Sequence, residues 1–119
     1  MTDPATIRAY HAHVYYRDAD ERARAAELRD AVDQRFEVAL GRWRDEPVGP
    51  HPEPMYQISF AARSFAEIIP WLMLNRQGLT ILIHPVTGND VEDHRDHPFW
   101  MGEDLPLNIA FLEAGNTEA

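Results

Sequence analysis

Apolar and polar positions alternate with a period of two along Ala9–Tyr16 and again along Met55–Ala61, the pattern of strands with unlike faces. In the first run, period two puts His11, His13 and Tyr15 on one side and Ala12, Val14 and Tyr16 on the other. In the second, Tyr56, Ile58 and Phe60 share a face opposite Gln57 and Ser59. Between them the period changes. Ala25, Leu28, Val32 and Phe36 recur at steps of three and four, which predicts a helix over Asp18–Arg35 with one narrow buried stripe. Asp18 is placed to cap it, acids lead, and arginines fill the later turns, in the sense the helix dipole favours. A second strand is predicted over Phe36–Trp43. Ser64-Phe65-Ala66-Glu67 has the form of a capping box opening a second helix, which Pro70 should kink or restart and Gly78 should close. Leu79–His84 is apolar enough for a strand buried on both faces. Beyond Thr87-Gly88-Asn89-Asp90 the pattern is irregular and acidic. A short strand is predicted at Leu107–Phe111, and the tail from Glu113 should fray.

The resulting order, β-α-β-β-α-β, predicts an α+β, ferredoxin-like sandwich: a four-stranded antiparallel sheet, two helices on one face, and an extra C-terminal strand as an option. If Val14, Tyr16, Phe36, Val38, Ile58 and Phe60 face the helices, then His11, His13, Tyr15, Gln57, Ser59, Thr80, Leu82 and His84 share the other, open face. In this arrangement the first and fourth strands are neighbours, which brings His13 towards His84.

The length, 119 residues, is that of one domain, with 1–8 and 113–119 expected as flexible ends. Acidic residues number 20 and basic residues 11, a net charge of −9, which disfavours a nucleic-acid partner. Every basic residue is arginine, so Schiff-base lysine chemistry and a P-loop lysine are excluded. No cysteine is present, which removes thiol nucleophiles, disulfides and thiolate metal sites. No apolar run approaches the roughly 18 residues of a membrane span, and Met1–Arg8 is polar, without the apolar run expected of a signal peptide; a cytoplasmic protein is expected.

What remains for strong metal ligation is imidazole and carboxylate. His13 and His84 form the best pair. His51, between Pro50 and Pro52 in a loop (Asp45–Pro54) holding four prolines and a glycine, is a third ligand on a stiffened backbone. His11 is an alternative to His13. His94, beside Asp93, is a further candidate, while His97 reads as a surface residue. No local motif such as H-E-x-x-H occurs. Tyr15, Trp43, Phe99 and Trp100 are available to wall an aromatic pocket, and Arg42 and Arg76 to grip a carboxylate. Core packing or a dimer interface accounts for the aromatic residues equally well, and surface ion pairing is the commoner fate of an arginine. No nucleophile elbow surrounds Ser59 or Ser64, so a serine hydrolase is disfavoured.

Several blocks, in order, resemble the DOPA 4,5-dioxygenase family: Tyr10-His11-Ala12-His13-Val14-Tyr15-Tyr16, Gly49-Pro50-His51-Pro52, Pro70-Trp71-Leu72-Met73-Leu74-Asn75-Arg76, Ile83-His84-Pro85-Val86-Thr87-Gly88 and Asp93-His94. The similarity runs from about Tyr10 to about Leu105. It implies a ferredoxin-like fold, often dimeric, and extradiol ring opening of a catechol at non-haem Fe(II). It assigns the metal to His13, His51 and His84, leaving His11 and His94 for acid–base work. Tyr15, Arg42, Arg76 and Trp100 become candidate substrate contacts, with a small aromatic molecule and dioxygen as reactants. Zn or another divalent metal suits the same ligands. Glu37 or Asp90 would serve if a carboxylate replaced one histidine. The competing expectations are a non-catalytic binding module of the same fold and a zinc-dependent hydrolase or isomerase.

Overall fold

Residues 1–117 are described by a computed structural model. The chain runs β1 (Ala9–Tyr15), α1 (Ala19–Arg35), β2 (Ala39–Leu40), β3 (Met55–Ala61), α2 (Phe65–Asn75), β4 (Ile81–Val86), α3 (Asp90–Arg95), β5 (Phe99–Met101) and α4 (Ile109–Glu113). The strands form one antiparallel sheet in the order β2-β3-β1-β4-β5. Its first four strands have the ferredoxin-like arrangement, and β5 extends it beyond β4.

The predicted parity holds. Ala12, Val14, Tyr56, Ile58, Ile81 and Ile83 meet Ala25, Leu28 and Val32 of α1 and Ile68, Ile69 and Leu72 of α2 in one buried cluster. Asp18 caps α1 by accepting from the Glu21 N–H at 2.8 Å. The buried Tyr56 hydroxyl donates to the Ala25 carbonyl at 2.7 Å, tying helix to sheet without an unsatisfied polar group.

Several local expectations are corrected. Of the stretch Phe36–Trp43 only Ala39 and Leu40 enter the ladder, against Ser59 and Ile58. This edge of the sheet has a neighbour on one side only, so little pairing holds a longer strand. Ser64 makes no side-chain cap; a 3-10 turn at Ala62–Ser64 leads the backbone into α2 instead. Pro70 does not interrupt α2. It is exposed while its neighbours Ile68, Ile69 and Leu72 are buried, and that packing holds the helix together. The segment expected as a strand at Leu107–Phe111 is instead α4, capped by the Asn108 side chain. The supposedly irregular acidic stretch contains α3, capped by Asn89.

The second face of the sheet is not open. The loop before β3 and the segment after β5 fold over it, and Val48, Leu105, Leu107 and Trp100 pack against Tyr15, Met55 and Leu82 in a second apolar cluster. The histidines on that face therefore lie under a cover of irregular chain.

Candidate metal centre

Strand register brings the first histidines together. His11 stands directly opposite His84 across the β1–β4 ladder, and His13 lies two residues along β1 on the same face. The Nε2 atoms of His13 and His84 are 3.2 Å apart, and the two residues are 0% and 2% exposed. The Nδ1 of His84 lies 2.9 Å from the Pro85 carbonyl, and a carbonyl can only accept, so Nδ1 carries the hydrogen. In the neutral ring Nε2 then presents its lone pair towards His13.

His51 enters from above. Its loop is pinned at one end by Asp45, which accepts from the Tyr16 hydroxyl at 2.7 Å and from Arg22 Nε at 2.9 Å. Further on, the Asn108 N–H donates to the Pro50 carbonyl at 2.9 Å. The bonds from Arg22 and Tyr16 hold the Asp45 carboxyl below its usual range. Burial, aided by the Asp45 charge, pushes the Tyr16 phenol up. Gly49 adopts φ 61° at the bend, a conformation glycine takes at no steric cost. His51 thus becomes a buried loop residue, 3% exposed. Its Nδ1 shares a 2.7 Å hydrogen bond with the Tyr15 hydroxyl, and its ring centroid is 4.2 Å from that of His13.

His94 comes from α3. Its Nδ1 donates to the Asp90 carbonyl at 2.7 Å, and its ring lies 4.0 Å from the His84 ring. Five of the six histidines thus gather on one face of the sheet, whereas His97 is exposed. Sequence reasoning missed Asp93. It is 1% exposed, and it accepts from the Thr87 N–H at 2.9 Å and the Thr87 hydroxyl at 2.6 Å. Only the Asp93-His94 dipeptide hinted at it.

Among the described residues, one group has ligand atoms that all lie within 4.8 Å of one another: His11, His13 and His84. It contains neither Glu37 nor Asp90. Two nitrogens each about 2.1 Å from one ion, at tetrahedral or octahedral angles, stand roughly 3 Å apart. The 3.2 Å between His13 and His84 matches that spacing, so an all-imidazole site for a divalent transition metal fits these residues.

The four expected substrate contacts divide. Tyr15 and Trp100 stack with centroids 6.1 Å apart on the histidine face. Arg76 donates to the Leu79 carbonyl at 2.7 Å, and Arg42 lines a small separate cavity of about 50 Å³ with Gln57. A larger cavity, about 590 Å³, borders the cluster at His84; its walls include Tyr10, Phe65, Phe99, Glu92 and His97. None of the four expected contacts lines it.

Comparison with known proteins points the same way. Residues 10–111 match the model of the Dopa 4,5-dioxygenase family. A DOPA 4,5-dioxygenase of Amanita muscaria is 38% identical over 94% of this chain and 53% of its own length. An uncharacterized 21.2 kDa protein of Botryotinia fuckeliana is 34% identical over 88% of this chain and 63% of its own. The chain therefore spans between half and two thirds of the length of these two relatives. A crystal structure from Nostoc punctiforme, described as a "putative dioxygenase", superposes with a TM-score of 0.94 at 50% identity, covering 98% of this chain and 100% of that one. Among the described residues, no helix is long and apolar enough to cross a membrane.

Proposed function

The chain belongs to the Dopa 4,5-dioxygenase family, and from that premise we propose that it is a non-haem Fe(II) extradiol dioxygenase opening the ring of a catechol-type substrate such as DOPA. The observation that carries this reading is the convergence of the His11, His13 and His84 ligand atoms. These imidazoles would hold Fe(II), which would supply the redox chemistry for dioxygen to react with a catechol. The resemblance placed His51 among the ligands and His11 beside His94 in acid–base work. The convergence favours exchanging His11 and His51.

In this reading His51 and His94 flank the ligands as proton-handling groups. His51 is oriented by the Tyr15 hydroxyl and His94 by the Asp90 carbonyl. Each bond engages Nδ1 and sets the ring, and Nε2 takes a proton from substrate or gives one to it. Tyr10, Phe65 and Phe99, in the walls of the cavity that borders His84, give the substrate ring an apolar surface. The same reading takes the protein to be a cytoplasmic homodimer that receives a small aromatic molecule and dioxygen.

Anaerobic Fe(II) titration followed by a catechol panel tests it. Stoichiometric Fe(II) binding and a yellow ring-opened semialdehyde are expected. His13→Ala and His84→Ala should each weaken Fe(II) binding at least about a hundredfold, more than loss of an outer contact does. His11→Ala should cost more affinity than His51→Ala, and the reverse order would return His51 to the ligand set. No Fe(II) affinity and no colour with any catechol would overturn the proposal. Tight Zn binding without catechol turnover would favour a zinc enzyme on the same imidazoles.

A further inference from the structure

We propose that Asp93 is a positioning residue that clamps α3 to the end of β4 and so fixes the His94 ring against His84. Its bearing on catalysis rests on the dioxygenase reading; the clamp itself does not. α3 has only six residues, well short of the roughly 12–15 at which an isolated helix becomes even marginally stable. It therefore needs an anchor to the sheet.

Asp93 supplies that anchor. Its carboxylate is buried, and burial of such a group is tolerated only when its oxygens are paired. Both are, and by one residue: Thr87 gives its N–H to Oδ2 and its hydroxyl to Oδ1. Thr87 follows Val86, the last residue of β4, three positions after His84. Gly88, at φ 100°, turns the chain from Thr87 into α3. The bond from His94 Nδ1 to the Asp90 carbonyl stays within the segment and orients the ring relative to the helix. The Asp93–Thr87 pair orients the helix relative to the strand that carries His84. Together they define the 4.0 Å separation of the two rings.

The job of the carboxylate is geometric, and asparagine separates geometry from charge. In Asp93→Asn the side chain keeps nearly the same shape. Its amide oxygen accepts from the Thr87 N–H, and its nitrogen donates to the Thr87 hydroxyl. Alanine does neither, and Thr87→Val removes the hydroxyl from the opposite side at almost constant volume.

Asp93→Asn, Asp93→Ala and Thr87→Val in the full, metal-free chain test the clamp by hydrogen exchange over residues 87–95 and by NMR of the His94 ring. Asp93→Ala and Thr87→Val should each speed α3 exchange at least about tenfold and move the His94 resonances. Asp93→Asn should leave both close to the original, and the Asp93→Ala/Thr87→Val pair should be no worse than Asp93→Ala alone. If Asp93→Ala does not fold, Thr87→Val and Asp93→Asn still decide. Unmoved His94 resonances with retained α3 protection in Thr87→Val would overturn the clamp, and so would an Asp93→Asn variant as disrupted as Thr87→Val. With Fe(II) and a catechol, Thr87→Val should lower kcat about tenfold while KM and Fe(II) affinity stay within about threefold. If the ring shifts appear but the unmodified chain turns over no catechol, the clamp stands and the dioxygenase reading falls.

Discussion

On the face of the sheet covered by α1 and α2, Ala12, Val14, Ile58 and Ile83 meet Leu28, Ile68 and Leu72, none more than 1% exposed. On the other face the same strands present His11, His13, Tyr15 and His84 to the loop before β3, to α3 and to the segment after β5. Both faces are largely buried, but they are held differently. The first rests on many non-directional contacts, each replaceable by another of similar volume. The second has a smaller apolar cluster and rests besides on a few directional bonds, Tyr15 to His51 and Asp93 to Thr87, each of which depends on one pair of residues. Damage to the helix face should therefore appear as lost stability, and damage to the histidine face as lost function.

The largest effect that tests this contrast is on the helix face. Leu28→Ala should cost about 2–5 kcal/mol in urea denaturation while the folded fraction keeps its Fe(II) affinity. A parallel loss of Fe(II) affinity would show that the faces are coupled through the sheet. Next in size, Tyr15→Phe keeps the ring but removes the hydroxyl from His51. It should cost about 1 kcal/mol of stability and lower kcat/KM roughly tenfold through a misoriented His51. Steady-state kinetics unchanged from the original would remove Tyr15 from the site.

The smallest effect concerns the anchor of the His51 loop. Asp45 has its pKa depressed in the fold by Arg22 and Tyr16. Its stabilising contribution is therefore present above the ordinary carboxylate range and lost as pH falls through the depressed folded value. Asp45→Asn should lower Tm slightly at neutral pH. The gap from the original should close in acid, as the original loses the charge too. A gap independent of pH would mean that the side chain acts through shape alone.

Much of this is legible in the sequence alone. The alternation in Ala9–Tyr16 and Met55–Ala61 placed His11, His13 and Tyr15 together, because parity is a property of the strand itself. The step of three and four in α1 was equally local, and Asp18 performs the capping role its position predicts. The 95–113 region was not legible. β5 has three residues and α4 five, too short to show a period, and each is held in place by its neighbours rather than by propensity. Asp93 escaped notice for a related reason. An acid in an acidic stretch looks solvated until the partner that buries it, six residues back, is in place.

The sequence by itself determined which residue types were available for chemistry, with imidazole the main metal donor and neither thiol nor lysine amine present. It also determined which strand positions share a face, since side-chain alternation depends only on the backbone. Tertiary structure decided the rest. It set His11 opposite His84 by strand register, carried His51 inward on a pinned loop and brought His94 in on a clamped short helix. It also covered the face that the polar pattern had made look open. These are contacts between segments distant in sequence, and no local period encodes how far apart two such segments will come to rest.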